Sequence, residues 1–327
     1  MEEGKLIFAD EGDMEIHAGL ITLNGGEFRA GTEANPYQHK LTFVMYGNYF
    51  GKQTPIAGNK GIVCIECKFS MHGQVRTKTW TMLAATIGPG DDSFTVEDSI
   101  DWQPGEKIVV ASTDFDHNQA EEREILSVNG TTVTVTEPFE NTHFSGSENF
   151  GTETLEMKAE VGLLTRNIKM MGDETSIEDE YGSHLMMIGS SEDGMVAHVA
   201  YSEFTHCGQP KIVGRYCIHF HMNGDVADSY VKGNAVHHSF ARVITLHAIH
   251  YLRVTENVGY IVKGHNFFIE DGIETQNVIK YNLAISSLES WNMMQTDISV
   301  ASFWVTNPTN HLSHNHAAGG DFYAYWY

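Results

Sequence analysis

The sequence predicts an all-β chain: a glycine-rich β domain followed by a right-handed parallel β-helix. Three observations carry this. Short runs of alternating apolar and polar residues are bounded by glycines along most of the chain. In the second half an asparagine recurs in register at solenoid-like spacing. Charged residues make up only 19% of the 327 residues and apolar ones 41%, with 31 glycines, which excludes a disordered chain or a coiled coil.

The first part, residues 1–145, reads as the glycine-rich β domain. "LITLNGGEFRAG", "LTFVMYGNYFG" and "GIVCIECKFSMHG" are its opening strands. "ILSVNGTTVTVT" is a hairpin, with Asn129-Gly130 expected as the two central residues of a type I′ turn. Asn129 also heads the sequon Asn129-Gly130-Thr131, a glycosylation acceptor in a secreted context. "NQAEERE" is expected to hold one helical turn.

Residues 146–327 read as the β-helix. "SYVKGNAVHHSF", "YLRVTENVGYIV" and "QNVIKYNLAISS" place Asn234, Asn257 and Asn282 in register, at steps of 23 and 25 residues. "TNHLSHNHAAGG" continues the series at Asn315 after a longer excursion. Each coil of such a solenoid stacks on the next, so an asparagine at a fixed turn position forms a hydrogen-bonded column.

The net charge is −23 with histidines neutral, and there is no basic run. This excludes a nucleic-acid binder and disfavours purely electrostatic capture of a polyanion. The N-terminal "MEEGKLIFADEGDME" lacks the pattern of a signal peptide, and no apolar run is long enough to span a bilayer. The last residues, "GGDFYAYWY", stop within an apolar strand pattern, so a piece of a larger protein is expected. Cys64 and Cys67 are expected as buried or disulfide-bonded thiols rather than a zinc or redox motif. Cys207 and Cys217 flank a short loop and could pair, which would imply an oxidising compartment.

Of the 18 histidines, 13 follow residue 180, so candidate chemistry concentrates there. In "GRYCIHFHMNGDV", Ile218, Phe220 and Met222 are expected inside, with His219 and His221 outside or at a coil edge. Arg215, His219, His221 and Asp225 form the densest polar cluster. Neighbouring coils add His237, His238, Arg242, His247 and His265, then Glu270 and Asp271, as the lining of one groove. A glycosidase needs two carboxyl groups about 5–9.5 Å apart, and Asp225 with Glu270 or Asp271 is the best pair. A lyase would need a base and a cation. The preferred reading of these histidines is a hydrogen-bonded or solvated ladder. A transition-metal site at His219, His221 and Asp225 is the least favoured. Calcium would prefer oxygen-rich turns such as the one holding Asp91 and Asp92, although these read first as solvated turns.

Residues 80–124, "WTMLAATIGPGDDSFTVEDSIDWQPGEKIVVASTDFDHNQAEERE", resemble the G8 domain. "HCGQPKIVGRYCIHFHMNGDVADSYVKGNAVHH", "GHNFFIEDGIETQNVIKYNLA" and "ASFWVTNPTNHLSHNHAAGG" resemble the parallel β-helix that follows G8 domains in the fibrocystin family. More distantly they resemble hyaluronidases of the CEMIP type. The resemblance implies a structural and recognition module, carbohydrate-facing, at an extracellular or ciliary surface or secreted. Its implied partners are glycans, other extracellular proteins or further domains of the same parent chain, with no nucleic acid and no membrane contact of its own. The alternative it implies is a calcium-dependent hyaluronan depolymerase. Where relatives carry proline this chain has Cys217, which points to a Cys207–Cys217 disulfide particular to it.

Overall fold

Side chains two apart on a strand share a face, so short alternating strands can bury one face and stack edge to edge. This chain does so eight times over. The computed structural model describes residues 4–291 and 295–327. Its strands fall into three parallel sheets of eight strands each, and each coil contributes one strand to every sheet. The first coil, for example, runs Lys5–Ile7, Met14–Ala18 and Leu20–Asn24 through sheets one, two and three. The result is a parallel β-helix.

The expected boundary between residues 145 and 146 is not where the architecture changes. Strands Gly61–Ile65 and His184–Ile188 are direct neighbours in the third sheet, so the helix already begins at residue 5. Between strands Lys68–His72 and Ile168–Gly172, the third coil extrudes a module of its own. A six-stranded antiparallel sheet, from Trp80–Met82 to Glu160–Leu163, is joined by a hairpin of Ser145–Phe150 with Glu153–Lys158. The module has a separate core around Phe94, Trp102, Ile108, Val133 and Phe139. Parallel and antiparallel strands share the same alternation, so sequence pattern alone could not separate insert from coil.

The module lies along the outer face of the second sheet. Val109, Ala111 and Leu164 pack on Val258, Tyr260, Leu283 and Ile285, three to four coils further on. Trp80 Nε1 donates to the Tyr281 carbonyl at 2.7 Å, and His316 Nδ1 lies 2.7 Å from Glu160.

The asparagine column forms. Asn234 donates its backbone N–H and its side-chain amide to Asn257 Oδ1, both at 3.0 Å. Asn257 does the same to Asn282, and Asn282 to Asn315. A second column, at the corner leading into the first sheet, links Asn277 to Asn310. Its 33-residue step hid it in the sequence. All but the half-buried Asn315 are buried, and each unmade bond there would cost about 1–3 kcal/mol.

Two details depart from expectation. In the hairpin, Asn129 pairs with Thr132, so Gly130 and Thr131 are the central residues. Gly130 has φ +63 while Thr131 stays at negative φ, a pattern of type II′ rather than I′. Asn129 is exposed. Of "NQAEERE", only Asn118 and Gln119 are helical, in the 3-10 segment His117–Gln119, and Glu121 onward opens strand Glu121–Asn129.

Candidate functional site

Strands Ile218–Asp225 and Ile244–His250 run side by side in the third sheet, and their register pairs His221 with His247. Ile218 and Phe220 point into the core and are fully buried. His219 and His221 therefore share the outer face. The expected inward position of Met222 fails: it has φ +56, a bulge interrupts the register after His221, and the side chain is 62% exposed. His219 also departs from expectation, being only 1% exposed, because the loop carrying Gly214 and Tyr216 folds over it.

One ring nitrogen from each of His219, His221 and His247 lies within 4.8 Å of the others. His219 Nδ1 is hydrogen-bonded to the Gly214 carbonyl at 2.8 Å, so that nitrogen carries the proton and Nε2 faces the cluster. His221 Nδ1 and His247 Nδ1 are 3.0 Å apart. His247 Nε2 lies 2.9 Å from Asp271 Oδ2. Glu270 Oε2 lies 3.9 Å from His219 Nε2 and 3.8 Å from His247 Nδ1. Burial pushes the Glu270 carboxyl above its ordinary range. Burial also drives the His219 imidazole well below its own, and His221 lower too, with neighbouring imidazoles adding to the effect.

The floor beneath is charged and closed. Arg242 donates from Nε and Nη2 to the two oxygens of Asp297, at 2.9 and 2.8 Å. Both residues are 0% exposed. The Arg242 guanidinium sits 3.8 Å from the Phe268 ring centroid and 3.9 Å from Glu270 Oε1. His265 is also buried, 3.5 Å from Asp297, and burial pushes its imidazole down to about 4. Arg242 and His265 thus support the cluster and do not line a groove, as the sequence had suggested.

The rest of the predicted groove disperses. His237 and His238 belong to strand Ala235–Ser239 of the second sheet. There His237 Nε2 is 3.3 Å from Glu203, and His238 Nε2 is 3.9 Å from Glu122 of the inserted module. Arg215 packs against Gly58, beneath the loop that covers the earlier coils. Asp225 lies beyond the bulge, pairs in register with His250, and accepts the Ala227 N–H at 3.2 Å. No ion pair or hydrogen bond joins it to Glu270 or Asp271 among the described residues. The bulge after His221 separates it from the cluster, and sequence spacing does not reveal that bulge. Asp91 uses Oδ2 to accept the Gly88 N–H at 2.7 Å, closing its own exposed turn beside Asp92.

Both cysteine pairs are disulfides. Cys207 is joined to Cys217 with Cα atoms 5.1 Å apart, and Cys64 to Cys67 at 5.5 Å. Glu66, at φ +49, turns the chain so that Cys67 comes back to Cys64. The sequence also missed a cleft of about 740 Å³ between the second sheet and the inserted module. Its rim carries the amides of Gln38, Gln74 and Gln103 and the cations Lys40, Arg76 and Lys169. The residues come from distant segments that only the insertion brings together.

Residues 1–84 match the G8 domain family and residues 180–327 match the CEMIP beta-helix family. All of the chain aligns with fibrocystin-L of Mus musculus at 36% identity over 368 residues, 9% of that protein. The cell surface hyaluronidase CEMIP2 of Homo sapiens is 32% identical over 275 residues, 71% of this chain and 20% of that one. Among solved structures, the tailspike gp61 of Pseudomonas phage phi297 aligns with 92% of this chain and 66% of its own, at 12% identity and a TM-score of 0.26. The chain therefore spans less than a tenth of the fibrocystin-L it matches.

Proposed function

Since this chain belongs with the G8 and CEMIP-type β-helix proteins of the fibrocystin-L kind, we propose that it serves as an extracellular recognition module for glycans. Two disulfides agree with an oxidising compartment outside the cytosol. The observation that carries the glycan reading is the cleft of about 740 Å³ between helix and insert. Sugars present many hydroxyls and few apolar faces, so they are held by fixed amides and charged donors. Gln38, Gln74, Gln103 and Lys40 supply such groups on the rim. Arg76 and Lys169 are steadied by Glu106 and Glu203, so their remaining N–H groups are presented in place. Binding through donors inside a cleft is compatible with a net charge of −23, which long-range attraction of a polyanion is not.

The test is calorimetric titration with size-defined hyaluronan oligosaccharides, preceded by a glycan array. Lys40→Ala and Gln103→Ala, both exposed positions, should each weaken the best ligand about tenfold, or about 1.4 kcal/mol. An array with no hits, or affinity unchanged in both variants, would remove the reading. Hyaluronan shortened by the wild type but not by Glu270→Gln would replace it with the depolymerase alternative.

A further inference from the structure

We infer that His219, His221 and His247 form a binding site for a divalent transition-metal ion of the zinc class, with Glu270 beside its fourth position. The inference rests on how the four groups are aimed. His219 commits Nδ1 to the Gly214 carbonyl, and His247 places Nε2 against Asp271. Metal-bound histidines are oriented in this way, one ring nitrogen held by a carbonyl or carboxylate while the other is left to the ion. One ring nitrogen of each histidine lies within 4.8 Å of the others, His221 Nδ1 and His247 Nδ1 meet at 3.0 Å, and Nε2 is the nitrogen His219 has left.

The spacing fits an ion. Zinc–nitrogen bonds of about 2.0–2.1 Å in a tetrahedron place ligand atoms about 3.3 Å apart. Here His221 and His247 are at 3.0 Å, and Glu270 Oε2 stands 3.8 and 3.9 Å from His247 and His219. The three ring nitrogens lie within 4.8 Å of one another, so side-chain movements of up to about 1.5 Å close the set. His219 Nε2 and Glu270 Oε2 are buried and have no hydrogen-bond partner. Burying such atoms unpaired costs free energy, and a cation would satisfy both at once. Three imidazoles select a transition metal over calcium, whose ligands are oxygens. The strand geometry supplies the preorganisation. His219 and His221 share one face of a strand, and His247 sits directly across the coil step from His221.

Chelator-stripped protein titrated with zinc chloride, and separately with calcium chloride, tests the inference. Calorimetry with elemental analysis should find one zinc per chain at this site. Cobalt in its place should show the strong visible bands of a four-coordinate ion. His221→Ala or His247→Gln should abolish the stoichiometric binding, and Asp271→Asn should weaken it about tenfold to hundredfold. His238→Ala, a histidine of the other sheet, should leave it unchanged. Because Asp271 is exposed, its variant gives a reading even if a histidine variant fails to fold. No stoichiometric zinc, or zinc retained in both histidine variants, would overturn the site. Calcium displacing zinc would overturn the assigned class.

Discussion

His237 and His238 on the second sheet share a coil with His247 and lie one coil on from His219 and His221 of the third sheet, yet the two groups do different work. His237 finds Glu203 and His238 finds Glu122, carboxylates on either side of the seam where the inserted module docks. On the third sheet the loop through Gly214 and Tyr216 closes over His219, and His221 and His247 stay only half-buried. Ring nitrogens face one another in both groups, but only in the third-sheet group do three histidines converge, beside a Glu270 oxygen without a hydrogen-bond partner. The lesson is that residue type and coil position do not decide a histidine's role on a solenoid. What folds over each face decides it.

Removing the floor under the open group should have the largest effect. Arg242→Met strips the guanidinium from a fully buried carboxylate, and breaking such a pair costs about 3–5 kcal/mol. Denaturant unfolding measures it, and a loss under about 1 kcal/mol would show that Asp297 regains water.

The closed group should reveal itself through acid. Burial alone would raise the Glu203 carboxyl, but the His237 hydrogen bond and the charges of His237 and Lys169 hold it at about 2. A carboxyl depressed from 4.5 to about 2 contributes on the order of 3 kcal/mol, fully present above pH about 4.5. That contribution is lost as the pH falls from about 4.5 toward 2. Unfolding free energies of Glu203→Gln across that window should lack this slope. An unchanged slope would mean that the seam's charges are solvated.

The smallest effect sharpens the contrast. In metal-free protein, His238→Ala and His221→Ala should each shift stability by no more than about 0.5 kcal/mol, since both rings are only half-buried. A large loss in metal-free His221→Ala would turn the open group into one more structural ladder.

Much of the fold was legible because stacking repeats its demands. The Asn234, Asn257, Asn282 and Asn315 column needs the same amide at the same corner in every coil, so it writes a period into the chain. The join between the second and third coils stayed hidden because the insert sets strands Leu41–Met45 and Ile168–Gly172, adjacent in space, far apart in sequence. The site was only partly legible. Alternation put His219 and His221 on one face, but the bulge at Met222 removed Asp225 from it. Nothing in the spacing distinguished a histidine under the insert from one on the open sheet.

The inserted module also changes how the stack should come apart. A bare solenoid has only nearest-neighbour contacts, so its coils can fray singly from an end. Here a rigid block leaves the third coil and grips the later ones through Tyr281, His316 and the apolar patch around Val258 and Leu283. It acts as a splint running alongside the asparagine columns. Lifting one coil means prising off the splint as well, so tension along the axis is shared over several coils at once. A stack that would otherwise unzip stepwise is thereby made to yield as one unit.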